Sequence, residues 1–134
     1  MVDTKAEISS IAPFFIVRDL QETVAFYRDC LGYEVGYSAP EEKPFFAILR
    51  RDVVQVFLKQ IAEDVPPVPN SERHEWARWD AFAHTEDPDG LAAEFNRLAK
   101  REIAVVKDTE DGLRGFEVID PNGYVLFFGK PKGI

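Results

Sequence analysis

Asp80 and His84 stand four residues apart in Trp79-Asp80-Ala81-Phe82-Ala83-His84-Thr85, a stretch that reads as a strand. Successive side chains of a strand point to opposite faces, so Asp80, Phe82 and His84 share one face. A carboxylate and an imidazole so placed form a candidate acid/base pair. The plainer alternative is a histidine hydrogen-bonded into a wall. A carboxylate set among aromatic rings must be paired, protonated or functional. Arg78, Arg50 and Arg114 are the candidate internal partners of Asp80. Trp76 and Trp79 flank the start of the same strand, and rings beside one acid are how a hydrophobic or cationic small molecule is held. Both indoles serve equally well to pin their segment onto a core.

The remaining reactive groups are sparse. His74 lies beside Glu75 and Trp76 in a spacing that matches no metal motif, and reads as a solvated histidine or a cleft-rim residue. Cys30 is the single cysteine, so no internal disulfide is available, which agrees with a reducing compartment. Near the end of a helix and next to Leu31, it reads as a small packing residue rather than a nucleophile.

Composition narrows the partners. The formal charge of -8, from 24 acidic against 16 basic residues, leaves no Lys/Arg cluster for phosphates, so nucleic acid is not an expected partner. It permits a cationic ligand, although acidity also simply favours solubility. No apolar run approaches the roughly 20 residues of a membrane span. The Met1 to Glu7 segment lacks the basic start and apolar run of a secretion signal, so a cytoplasmic location is expected.

The elements that would position these residues occur twice, roughly seventy residues apart. In the first half, a strand over Ile11 to Arg18 ends at Asp19, which caps a helix over Leu20 to Leu31 with Glu22 completing a capping-box pattern. Leu20, Val24, Tyr27 and Leu31 make one apolar stripe, and Gly32 ends the helix. Strands follow at Tyr33 to Ser38, Phe45 to Arg50 and Val53 to Lys59. Ile61 to Arg78, with Pro66, Pro67 and Pro69, reads as a connector.

The second half repeats the pattern with a strand at Trp79 to Thr85, the Asp87-Pro88 cap and first turn, and a helix striped by Ala92, Phe95, Leu98 and Ala99. Strands near Ile103 to Val106, Gly115 to Ile119 and Tyr124 to Gly129 complete it, with Asp120-Pro121-Asn122-Gly123 as the last turn. Each half is marginal alone, so residues 1-134 are expected to form one domain whose halves meet across a shared cleft.

Val17-Arg18-Asp19-Leu20, Phe26-Tyr27, Leu31-Gly32-Tyr33 and Asp120-Pro121-Asn122-Gly123-Tyr124 resemble the vicinal-oxygen-chelate superfamily of glyoxalases, bleomycin resistance proteins and extradiol dioxygenases. The likeness spans nearly all of residues 11 to 130. It implies an α+β fold of two βαβββ modules, module one about 11-60 and module two about 79-130 with connector 61-78, forming a curved mixed sheet around a shared cavity. Phe46 to Arg51 and Trp79 to Leu91 look most like bleomycin resistance proteins, which are non-enzymatic dimers that sequester a cationic antibiotic at the subunit interface.

The resemblance also implies where a metal would sit: Ala12, Phe57, Asp80 and Phe127. Three of these have no lone pair to offer, so the inherited metal site is expected to be absent and no cofactor is expected. An apolar lining replaces it, with Phe14 beside Ala12, Phe82 and His84 beside Asp80, and Val125 beside Phe127. The reading that follows is a small-molecule-binding homodimer whose ligand contacts Phe14, Phe57, Trp76, Trp79, Asp80, Phe82, His84 and Phe127. The alternatives are a metal-dependent lyase or dioxygenase, requiring His74, His84 and Asp80 or Glu117 to converge, and a scaffold whose phenylalanines fill the cavity.

Overall fold

The computed structural model describes residues 4–133. The first module runs β1 (Phe14–Val17), α1 (Leu20–Leu31), β2 (Glu34–Ala39), β3 (Phe46–Arg51) and β4 (Val54–Gln60). The second runs β5 (Ala81–His84), α2 (Pro88–Ala99), β6 (Lys107–Asp108), β7 (Leu113–Ile119) and β8 (Val125–Pro131). Each module forms its own four-stranded sheet, in the orders β1-β4-β3-β2 and β5-β8-β7-β6. The first strand of each lies parallel to the last, and the remaining pairs are antiparallel. This is the expected α+β fold of two βαβββ modules.

Local chemistry sets the helices. Asp19 takes extended backbone angles and its carboxylate accepts from the Glu22 amide at 3.1 Å, while Gly32 closes α1 at φ 71, a left-handed conformation that glycine adopts without steric cost. The stripe Leu20, Val24, Tyr27 and Leu31 is buried. Asp87 caps α2 through the Gly90 amide at 3.0 Å, and Pro88 starts the helix earlier than its apolar stripe does.

Strand parity divides every sheet into two faces. Phe15, Val17, Ala47, Leu49, Val56 and Leu58 turn toward the helices from the first sheet, and Phe116, Val118, Leu126 and Phe128 do so from the second. Phe95 of α2 meets Phe116 and Phe128 edge-on, with centroids 5.8 and 5.2 Å away. Burying each such side chain contributes about 1.5–3 kcal/mol.

The Asp120–Tyr124 turn latches the modules together. Buried Asp120 accepts from the Tyr27 hydroxyl at 3.0 Å and from the amides of Asn122 and Tyr124. Asn122 accepts from the Arg18 amide and donates to Thr23, and the Tyr124 hydroxyl donates to the Ile16 carbonyl at 2.7 Å. A second bridge joins Arg51 of β3 to Glu94 of α2 at 2.7 Å. Burial pushes the Asp120 carboxyl pKa up, against the pull of its hydrogen bonds.

Several expectations are corrected. β1 begins at Phe14 rather than Ile11, because Pro13 has no N–H to donate and its carbonyl accepts from Phe57 at the start of the ladder. Residues Ile103 to Val106 form no strand. Asn96 takes that role, since its side chain accepts from the Ile103 and Ala104 amides and donates to the Ala104 carbonyl. Leu98 is exposed rather than part of the buried stripe of α2. The two sheets also do not close around one cavity within the chain. The latch and the helices join the modules on their core sides, which leaves the opposite sheet faces open.

Candidate functional site

The open face of the second sheet carries three rings. Phe127 of β8 lies opposite Phe82 of β5 in the parallel register, and their rings stack at 5.6 Å and 19°. Trp79, two residues before the strand, stacks on Phe127 at 4.1 Å and 26°. Phe127 is fully covered, while Phe82 remains 47% exposed. Glycines make room for the Phe127 ring: a Cβ at Gly115 or Gly129 would stand 2.7 or 2.5 Å from it.

Glu117 of β7 lies opposite Phe127 and organises the polar edge of this stack. It accepts from Arg78 Nε and Nη2, each at 2.9 Å, and from the indole Nε1 of Trp79 at 2.8 Å. Partial burial pulls its pKa upward, but the donors from Arg78 and Trp79 outweigh it and the net shift is downward, so Glu117 is ionised at neutral pH. The indole plane is thereby fixed. Beside it opens a cavity of about 470 Å³ lined by Trp76, Trp79, Arg78, Glu75, Asp111 and Glu117 among others. Trp76 is 86% exposed, and its amide donates to His74 Nδ1 at 3.1 Å.

The first sheet has a separate aromatic cluster on its own open face. Phe14, Phe46 and Phe57 surround one another at centroid distances of 5.9 to 6.1 Å, and Tyr37 adds to Phe46 at 6.2 Å. Phe14 is 56% exposed. The eight residues expected to line one cavity therefore divide. Phe14 and Phe57 come together on one sheet, Trp79, Phe82 and Phe127 on the other, and Trp76 stands at the rim of the latter.

Asp80 and His84 do not pair with each other. Asp80 Oδ1 accepts from the Asn70 amide and Oδ2 from the Val125 amide, both at 2.8 Å. It lies just before β5 and binds a 3-10 turn of the connector, Asn70–Glu72, to the start of β8. Nor does it meet the arginines proposed for it: Arg78 pairs with Glu117, Arg50 with Glu34, and Arg114 with Asp89 and Asp108. His84 is exposed and bonds to Glu86 at 2.6 Å. Cys30 is partly buried, and desolvation raises its thiol pKa.

The four positions implied for a divalent metal do not suit one. Ala12, Phe57 and Phe127 offer only carbon, and both oxygens of Asp80 already accept backbone amides. Among the described residues no three His, Cys, Asp or Glu side chains gather into a metal-binding group. No helix among them is long and apolar enough to cross a membrane.

Sequence reasoning left Tyr37 and Phe46 out of the site, while Glu117 entered it only as a ligand of the metal-dependent alternative and Arg78 only as a partner of Asp80. Parity supplied a signal for Phe46, which alternates with Ala47 on β3. The Glu117 hub joins positions 39 residues apart and has no local signature.

Comparison with known proteins follows the same outline. The family model described as "Glyoxalase/Bleomycin resistance protein/Dioxygenase superfamily" matches residues 8–128. No curated protein matches the chain. Among solved structures, a glyoxalase-related enzyme from Clostridium phytofermentans superposes with a TM-score of 0.70 at 14% identity, over 96% of this chain and 99% of that one. The bleomycin-binding protein of bleomycin-producing Streptomyces verticillus, complexed with copper(II)-bleomycin, gives 0.65 at 22% identity over 92% and 97%. TnmS3, an antibiotic binding protein from Streptomyces sp. CB03234, gives 0.64 at 18% identity over 96% and 100%. At these identities the likeness to the solved structures is one of fold.

Proposed function

This chain belongs to the Glyoxalase/Bleomycin resistance protein/Dioxygenase superfamily, and within it we propose that it is a non-enzymatic protein binding an aromatic, cationic small molecule in a cleft completed by a second copy. The observation that carries the reading is the Trp79–Phe127–Phe82 stack, whose indole is clamped by Glu117 beside an open cavity of about 470 Å³. A fixed ring face is a low-entropy platform for a planar ligand. Three carboxylates, Glu75, Asp111 and Glu117, line that cavity against the single guanidinium of Arg78, which favours a cation.

A second copy suits the geometry because the other open face presents Phe14, Tyr37, Phe46 and Phe57 to water. Placing that face of one copy over the stack of another would cover both and bury the ligand between them. The bleomycin-binding and antibiotic-binding proteins of the same fold lend the reading support by analogy.

Titration calorimetry with proflavine, a planar aromatic cation, tests it alongside light scattering. Binding at one site per copy, weakened at least tenfold by Trp79→Leu, and a dimer at micromolar concentration are expected. A monomer that binds no proflavine would overturn the proposal. Stoichiometric bound metal accompanied by turnover would overturn it in favour of a lyase or dioxygenase.

A further inference from the structure

A second cleft lies away from both open sheet faces, where the β3–β4 hairpin of the first module meets α2 and the end of β5 in the second. Its volume is about 340 Å³. The floor is apolar, formed by Leu91, Phe95 and Phe128. Around the mouth stand the carboxylates of Asp52, Asp87 and Glu94.

Tyr33 is the informative residue of this cleft. The residue is only 4% exposed, yet among the described residues its hydroxyl has no hydrogen-bond partner. The other two interior tyrosines both have one: Tyr27 donates to Asp120 and Tyr124 to the Ile16 carbonyl. No fully buried side-chain nitrogen or oxygen lacks a partner among the described residues, so the Tyr33 oxygen is not sealed in the core. It opens into the cleft it lines. A phenol almost wholly enclosed by protein, with its one polar atom left for whatever occupies the cavity, is a feature an ordinary core residue lacks.

Charge selects the occupant. Arg51 is the one arginine or lysine of the lining, held by Glu94 at 2.7 Å and the Leu31 carbonyl at 2.8 Å and more loosely by Asp52 at 3.8 Å. Against it stand three carboxylates, of which Glu94 is kept ionised by the Arg51 hydrogen bonds. His84, at the edge, is occupied by Glu86. The lining is therefore net acidic above an aromatic floor.

We propose that this cleft is a separate small-molecule site for a compact amine, with its ammonium toward Asp52 and Glu94, its apolar body on Phe95 and Phe128, and a polar atom hydrogen-bonded to the Tyr33 hydroxyl. Burial pushes the Tyr33 pKa up to about 12, so the hydroxyl keeps its proton and donates or accepts as the ligand requires. The cavity falls in the lower range of small-molecule pockets, which fits a molecule of about ten heavy atoms. This site stands independently of the ring stack on the second sheet.

Tyramine is a suitable probe, with 4-hydroxyphenylacetate as its anionic counterpart of the same skeleton. In two-dimensional amide NMR of the full chain, tyramine is expected to shift Tyr33, Asp52, Leu91 and Glu94 while leaving the amides of Phe82 and Phe127 in place. The acid should bind at least about tenfold more weakly. Tyr33→Phe keeps the ring and should weaken tyramine about three- to tenfold, the effect of one hydrogen bond. Asp52 lies on an exposed turn at φ 53, a conformation asparagine also tolerates, so Asp52→Asn provides a variant that keeps the fold. It too should weaken tyramine and narrow the preference over the acid. Absence of shifts at these amides at millimolar tyramine, equal binding of amine and acid, or unchanged affinity in both variants would each overturn the proposal.

Discussion

Asp80→Asn separates a structural carboxylate from a ligand anchor. In the folded chain each oxygen of Asp80 accepts one backbone amide, from Asn70 and from Val125, at 2.8 Å. Asparagine keeps one acceptor and turns an NH2 toward the other amide, so one charge-assisted bond is lost and two donors face each other. The expected cost is about 1.5–3 kcal/mol. Asp80→Ala leaves both amides without their acceptor, for about 2–4 kcal/mol, with water recovering part because the site is only partly buried. Urea unfolding should show the midpoint falling while the slope stays constant. Proflavine affinity, measured under conditions where Asp80→Asn is fully folded, should stay within about twofold of wild type, since both oxygens hold backbone amides and Asp80 does not line the cavity beside Trp79. An unchanged midpoint together with a tenfold loss of proflavine affinity would refute this and return Asp80 to the binding site.

Other outcomes follow from the same contacts. Glu117→Gln should weaken proflavine binding and reduce acid sensitivity: the folded pKa of Glu117 lies below the ordinary value near 4.5, so its stabilisation is present above that value and is lost as pH falls through the folded pKa. Identical acid unfolding curves for variant and wild type would contradict it. Tyr27→Phe takes the hydroxyl from buried Asp120 and should cost about 1–3 kcal/mol at pH 7. The deficit should shrink on acidification through the raised Asp120 pKa, because protonation removes the uncompensated charge, and a pH-independent deficit would count against the latch. Gly129→Ala should lower the melting temperature by several degrees, because the new methyl would stand 2.6 Å from the Arg114 carbonyl and 2.5 Å from the Phe127 ring. A wild-type melt would contradict it.

Much of the fold was legible because its signals are local. Asp19, Glu22 and Gly32 mark both ends of α1, and its four apolar positions repeat with helical spacing. Phe82 and Phe127 could be placed on one face because the family resemblance put Asp80 and Phe127 there and alternation put Phe82 beside Asp80. What alternation cannot supply is the partner across space. The sequence offered His84, Arg78, Arg50 and Arg114 as mates for Asp80, but its mates are two backbone amides, which all residue types but proline carry. The Arg78–Glu117–Trp79 hub depends on β7 and the connector meeting in three dimensions. The 103–106 segment failed for a related reason, since a single asparagine side chain replaced the neighbouring strand that its apolar residues suggested.

The open faces are the surfaces that the proposed function would use. A sheet in a small domain has one face against its helices, and the other must be solvated, covered or used. Here that second face carries aromatic rings on both sheets. Phe14, Tyr37 and Phe82 remain about half exposed or more, yet each touches rings that are better covered. Such rings would be replaced by polar residues at little cost to folding if water were their final environment, because the core contacts lie on the opposite side. Meanwhile the turn from Asp120 to Tyr124 directs its hydrogen bonds to Arg18, Thr23, Tyr27 and Ile16, all in the first module, and so fixes the angle between the two faces. Those buried bonds tie the two modules together on their core sides. On the proposed function, the occupant is a ligand together with a second copy of the chain.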